Sequence, residues 1–412
     1  MKSTKALTTS SSSFEPDWAW LPRNLLFMVL NKLFLLSDMI RFASVCSHWR
    51  FVAKDRFEQL NLHGNMHFTR NIPMLLIPAI ENDSPIHNLF SITRGEIYDL
   101  RLPVPYTKRY IGSSHGWLII LDEVSFVVTL INPFYFGNSQ GIIHLPPFIA
   151  ALDTSEEEGQ DFNCEYFVRK AILSSDPATS PNDYVLMLIY GEFQLLASWK
   201  SGDTHWTYVN WEVPLIYDLM YSHGQILAVD ILGQLISCDI RVKPASHSIV
   251  SDHLLGMLGT FCRRYIVKLP DGTILQTVRL LRACKCNKDV PAFFTIGFVL
   301  YKLLDNNDRK KWISVESLGE GALFVGDNHS QYVITSNFPG CAPNSVYFTD
   351  YYEDADSKRL NSYHFTAHRY IGVCHLDDGI IRRIFYLVEK ICLDSCFVTY
   401  LVTVNAYPSG FT

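Results

Sequence analysis

The chain has 412 residues, 48% hydrophobic and 13% aromatic, with only 18% charged. That is enough apolar material for a sizeable core and too little charge for wholesale disorder. A formal charge of −6 gives no basic footprint for nucleic acid.

The first fifteen residues are rich in Ser and Thr and contain no apolar run. They read as a disordered tail and not as a secretory signal. The character changes at once in the stretch WAWLPRNLLFMVLNKLFLLSDMIRFASVCSHWRFVAKD, residues 18–55. Residues 17–57 carry six Lys or Arg against three Asp, so this segment is basic and the remainder of the chain holds the acidic excess. Pro22 suits the first position of a helix. After it, Leu25, Val29 and Leu33 form one i, i+4 stripe, and Leu26, Leu30 and Phe34 form a second beside it. Phe27 and Met28 widen the apolar arc. Ser37 and Asp38 cap a predicted second helix carrying Ile40, Ala43 and Val45 inward, and a third begins near Ser47 and holds Trp49 and Val52. Three short helices cannot bury this much apolar surface among themselves. The excess predicts a cover from outside, either the next domain or another protein.

The order Trp20-Leu21-Pro22, Leu25-Leu26, Val29, Leu33, Ser37-Asp38, Ile40-Arg41 and Val45-Cys46-Ser47-x-Trp49-Arg50 resembles an F-box. The resemblance implies that the first helices dock on a Skp-type adaptor and, through it, on a cullin–RING ubiquitin ligase. Carried over by position, Leu21, Pro22, Leu25, Leu26, Val29, Leu30 and Leu33 would contact the adaptor. Asp38, Ile40, Val45 and Trp49 would hold the helices together or add to the rim.

Residues 58–87 read as a linker. From Asn88 onward, short runs rich in Val, Ile, Tyr, Phe and Thr alternate with Gly, Asn, Asp and Pro, as in GWLIILD, YVLMLIYG and RYIVKLPDGTILQTV. These predict strands and tight hairpins. Gly116 and Gly224 are 108 residues apart, Gly272 follows 48 later, Gly326 a further 54, and Gly379 lies 107 beyond Gly272. HWTYV at 205–209 is echoed by KWISV at 311–315. A unit near 50 residues predicts about six propeller blades, each a small antiparallel sheet of about four strands. A large β-sandwich is the alternative. The stretches SITRGEIYDLRLP, RYIGSSHGWLIILD, LINPF, IIHLPP, WISVESLGEGALFVGDN and CAPNSVYFTD, spread over residues 88–381, resemble the KIB-type β-propeller of plant F-box proteins. From Arg383 to Val404 the chain is apolar but interrupted by Glu389, Lys390 and Asp394, which predicts strands and no membrane anchor.

The ten cysteines show no repeated C-x-x-C spacing and read as reduced, mostly buried thiols. No P-loop and no G-x-G-x-x-G occurs. His115 and His223 share one position of the repeat, which points to turn chemistry. Two acidic loops, 153–161 and 350–359, read as solvated or as selectors of a basic target segment.

The expected protein is thus an α+β multidomain chain. A disordered tail (1–15) precedes a three-helix F-box (16–57), a linker (58–87) and an all-β propeller (88–404). It would be a non-catalytic substrate receptor of a Skp–cullin–F-box ubiquitin ligase, with an unknown protein target and no cofactor, metal, nucleic acid or membrane partner. Its place would be inside the cell, in nucleus or cytoplasm. The rivals are an interaction module without ligase assembly and a propeller hydrolase. A clustered, perturbed set of Asp, Glu and His on the axis would favour the hydrolase.

Overall fold

The computed structural model describes residues 18–30, 32, 42–43, 45–62, 72–77, 86–92, 95–102, 109–122, 124–132, 141–148, 168–191, 194–209, 215–239, 246–254, 261–285, 291–306, 309–338, 340–349, 371–383 and 400–404. The chain divides into two compact units, the first made of Met1–Arg70 with Ala406–Thr412 and the second of Asn71–Asn405.

In the first unit a 3₁₀ turn (Trp18–Trp20) leads to α1 (Arg23–Leu30), and α2 runs from Ser47 to Leu62. Pro22 stands one residue before the helix, and its carbonyl accepts from the Leu25 and Leu26 N–H groups at 2.9 and 3.1 Å. Leu26, Leu30, Phe42, Ala43, Val52 and Ala53 form the core. Two α-helices with full bounds stand among the described residues, so the expected third is not confirmed there. Phe42 and Ala43 lie between them, but Leu33, Asp38 and Ile40 lie outside the described residues.

The second unit is six sheets. The first holds β1 (Ile72–Ile77), β2 (Ile86–Ser91) and β3 (Glu96–Arg101). The second is β4 (Arg109–Ser114), β5 (Trp117–Leu121), β6 (Val127–Ile131) and β7 (Ile142–Pro147). The third is β8 (Val168–Leu173), β9 (Val185–Tyr190), β10 (Leu195–Lys200) and β11 (Thr207–Val209). The fourth is β12 (Ile216–Ser222), β13 (Gln225–Asp230), β14 (Leu235–Asp239) and β15 (Ser246–Ile249). The fifth is β16 (Cys262–Lys268), β17 (Ile274–Lys285), β18 (Pro291–Asn306) and β19 (Arg309–Val315). The sixth is β20 (Gly321–Val325), β21 (Gln331–Ile334), β22 (Ser345–Thr349), β23 (Ile371–His375) and β24 (Ile381–Arg383). A last strand, β25 (Tyr400–Val404), completes the first sheet by pairing antiparallel with β1, Leu75 opposite Leu401.

The edge strands β25, β4, β8, β12 and β16 pack against one another in that order, and β21 packs on β16. This is a six-bladed propeller with those strands innermost. Its core is a series of seams between blades, because a single sheet cannot cover both its own faces. The run VLMLIY of β9 shows how: Leu186, Leu188 and Tyr190 point into the seam with blade 2, and Val185, Met187 and Ile189 into the seam with blade 4. A run apolar at every position is what a strand buried on both faces requires.

Two features differ from the expected layout. The segment 58–87 is not all linker: α2 reaches Leu62, and β1 already belongs to blade 1. The sixth sheet has five strands with β20 and β22 parallel, whereas the other five sheets are four-stranded and antiparallel. Gly116, Gly224 and Gly272 do occupy equivalent inner hairpin turns, but Gly326 and Gly379 both fall in blade 6. Trp206 and Trp312 of the two echoed motifs lie just before and within β11 and β19, the outermost strands of blades 3 and 5.

A chain ending at Thr399 removes the inner partner of β1 and leaves it paired with β2 alone. It is expected to lose the single cooperative unfolding transition of the second unit and to elute as larger species by size exclusion, because an unpaired strand edge is exposed.

Candidate functional site

Two places carry functional information, and each is built by local sequence. In the first unit, α1 presents two apolar stripes. Leu26 and Leu30 are 0% and 4% exposed and close the core against Val52 and Ala53 of α2. Leu25, Met28 and Val29, at i, i+3 and i+4, are 42%, 64% and 40% exposed. Around them Trp18, Trp20, Val45 and Phe51 are also exposed, Trp20 at 72%. Pro22 is exposed and Leu21 half-buried. Val45 therefore does not point inward, as the sequence reading has it.

This surface rests on a braced support. Trp49 packs on Phe42, centroids 4.5 Å apart, and its Nε1 donates to the Trp18 carbonyl at 3.0 Å. His48 stacks on Trp20 and places Nε2 3.2 Å from the Leu21 carbonyl. The Cys46 thiol donates to the Ala19 carbonyl. Arg23 pairs with Asp55 and lies over the rings of Phe27 and Phe51. The exposed side chains are thus held in place by bonds to backbone behind them.

The second place is the propeller axis. In the pairings of β4 with β5, β8 with β9 and β12 with β13, the register slips once, at Tyr110/Gly112, Val168/Lys170 and Ile216/Asp218. A bulge re-aims the side chains that follow it. In blades 3 and 4 those are Lys170 and Asp218, which meet at 2.6 Å, both buried. Asp218 also accepts from the Ile266 N–H of blade 5 at 2.9 Å, from the Leu219 N–H at 2.7 Å and from Ser330 Oγ of blade 6 at 3.2 Å. Lys170 donates to the Gly326 carbonyl at 3.3 Å. The segment Gly326–Ser330 joins β20 to β21 across the axis, and its His329 N–H donates to the Ser113 carbonyl of blade 2 at 3.3 Å. Gly112 allows blades 2 and 3 to approach here, since a Cβ on it would overlap the Ala171 carbonyl.

The axis has the perturbed groups that the hydrolase reading asks for. Burial drives the Asp218 carboxyl upward, and Lys170 and the two backbone N–H groups pull against it. Burial, together with the charges of His115 and Lys170, lowers His329 to about 3. Burial also lowers His115, opposed by Asp176. The geometry is nevertheless that of a structural hub, because both oxygens of Asp218 already accept and the carboxylate is 0% exposed. The stretch Gly112-Ser113-Ser114-His115-Gly116 also has the G-x-S-x-G spacing of a nucleophile elbow, against the expectation that the chain holds none. It ends a strand and turns into another strand, not a helix, and Ser114 Oγ is buried against the Leu173 carbonyl at 3.4 Å. His115 and Gly116 have φ of 52° and 80°, and His223 and Gly224 repeat them at 50° and 82°. That is a two-residue hairpin turn with both residues left-handed, as the shared repeat position predicts.

The KIB1-4 beta-propeller profile matches residues 89–373. The chain belongs to that family. It is similar to the F-box protein At2g26160 of Arabidopsis thaliana, 26% identical over 352 residues that cover 82% of this chain and 96% of the relative. It is likewise similar to F-box protein SKIP23 of the same plant, 26% identical over 370 residues, 81% of this chain and 84% of the relative.

Among the described residues there is no group of three or more His, Cys, Asp or Glu placed to hold a metal, and no helix long and apolar enough to cross a membrane. Burial pushes the thiols of Cys341 and Cys374 up to about 11, which leaves them unreactive. Cys286, Cys392, Cys396 and both acidic loops lie outside the described residues.

Lys170→Met leaves a buried carboxylate unpaired and is expected to lower stability by about 3–5 kcal/mol in urea titrations. Adding Asp218→Asn, which keeps acceptors for the Ile266 N–H, should recover part of that loss. The histidine pair gives a pH signature. A folded-state value below the ordinary one means that the unfolded chain binds the extra proton, so stability falls as pH drops from about 6.5 toward 3. His329→Gln should reduce the slope of stability against pH by about one proton over that window.

Proposed function

We propose that this chain is the substrate-recognition subunit of a Skp–cullin–F-box ubiquitin ligase. The observation that carries the reading is the exposed stripe Leu25-Met28-Val29, with Trp18, Trp20, Pro22 and Val45, on a unit whose own core is closed by Leu26 and Leu30. Apolar patches of this kind on soluble proteins mark interfaces. The two similar plant proteins are named F-box proteins, which gives the partner its chemistry: a Skp-type adaptor. The basic surplus of residues 17–57 suits an acidic adaptor.

In this reading Leu26 and Leu30 shape the docking surface from behind and do not touch the adaptor, while Leu21, Pro22, Leu25, Met28 and Val29 do. The propeller holds the target. The assembly then keeps a ubiquitin-loaded enzyme near target lysines and raises its effective concentration there. The chain itself supplies no nucleophile and no base.

Co-expression with a Skp-type adaptor tests this. The intact chain should co-purify stoichiometrically, and Val29→Asp or Leu25→Asp should abolish co-purification with unchanged thermal unfolding of the second unit. Leu26→Asp should instead unfold the first unit. No complex with the intact chain would leave a two-unit interaction protein outside ligase assembly.

A further inference from the structure

The two Ser-His-Gly turns share a backbone but not their surroundings. In blade 2, blade 3 brings Asp176 to the turn: its carboxylate accepts from Trp117 Nε1 at 2.8 Å and acts electrostatically on His115. In blade 4 the following blade offers a lysine instead. Lys268 ends β16, and its Nζ donates to Ser222 Oγ at 3.0 Å and stands 3.3 and 3.4 Å from the two ring nitrogens of His223. Ser222 Oγ lies 3.0 Å from His223 Nδ1. Ser222 is buried, Lys268 half-buried and His223 exposed. Among the described residues no carboxylate lies within ion-pair distance of Lys268.

An ammonium has three protons to give. The serine hydroxyl takes one and the imidazole at most a second, which leaves a donor and an unneutralised charge for an incoming acceptor. The ammonium lies almost equally far from both ring nitrogens of His223, so in either neutral tautomer the ring takes at most one of its protons and keeps one N–H of its own. The group is built, not incidental: two inner strands of neighbouring blades end together, and the left-handed turn at His223-Gly224 fixes the imidazole beside the lysine.

We propose that Ser222, His223 and Lys268 form an anion subsite where β12 and β16 finish at one end of the propeller axis, taking a carboxylate or phosphate group of the target. This rests on the propeller being the target-holding unit, but not on the adaptor reading. Charge-assisted hydrogen bonds to such a group are the strong ones, so the subsite would select targets and fix their register.

The test uses the full chain without adaptor, labelled at the histidine ring carbons, and titrated with inorganic phosphate at constant ionic strength. The His223 signal, assigned with His223→Asn, should move saturably. Lys268→Gln should weaken that response about tenfold or more, Lys268→Arg should largely keep it, and the His115 signal should stay in place. A glutamate-rich hexapeptide that moves the same signal assigns the anion to protein carboxylates, while movement with phosphate alone assigns it to a phosphoryl group. A signal that stays fixed, drifts linearly without saturation, or moves equally in Lys268→Gln overturns the proposal. Intact adaptor binding beside such a result would leave the ligase reading standing.

Discussion

The ion pair between Lys170 and Asp218 is the contact on which the propeller's geometry depends. Neither charge could be buried alone, and together they link four consecutive blades, their own two and, through the Ile266 N–H, Gly326 and Ser330, the next two. A buried pair is not in itself a strong source of stability. What it does here is set register: a blade shifted by one residue would strand a charge in an apolar seam. The bulges in β8 and β12 are the means by which two ordinary strands turn those side chains to the axis.

Much of the blade architecture is legible in the sequence because its cause is local. Runs such as VLMLIY are apolar at successive positions since their two faces fill two seams. The Ser-His-Gly and Asp-Gly turns mark inner hairpins because left-handed backbone needs those residues. What escaped the sequence is non-local. Ile72–Ile77 pairs with β2 close by, but its inner partner, β25, is more than three hundred residues away, and nothing near Lys170 announces Asp218. The regular glycine interval fails at Gly326 and Gly379 because blade 6 inserts β21 between β20 and β22, a change of topology without a change of composition.

The helical unit shows the same division. Both leucine stripes of α1 are visible as spacing, and neither spacing says which one faces in. That is decided by Val52 and Ala53 of α2, small enough to receive Leu26 and Leu30. With the inner stripe satisfied, the outer one remains as surface, and the strapping of Trp18 to Trp49 keeps it ordered without covering it. Val45, exposed at 54%, obeys the same rule: apolar character predicts burial only where a neighbour exists to provide it.

Because β25 completes the sheet begun by β1, the ring has a seam that only residues 400–404 can fasten, made long after the strand they close on. A ribosome still holding residues 400–404 in its exit tunnel has already made every other strand of the propeller, yet the first sheet lacks its innermost strand. Closure therefore waits for residues 400–404 to emerge, and blades 2 to 6 must stand as an open arc until then. A premature stop or frameshift before residue 400 would yield an arc that never shuts, with a bare β-edge for chaperones or proteases to find.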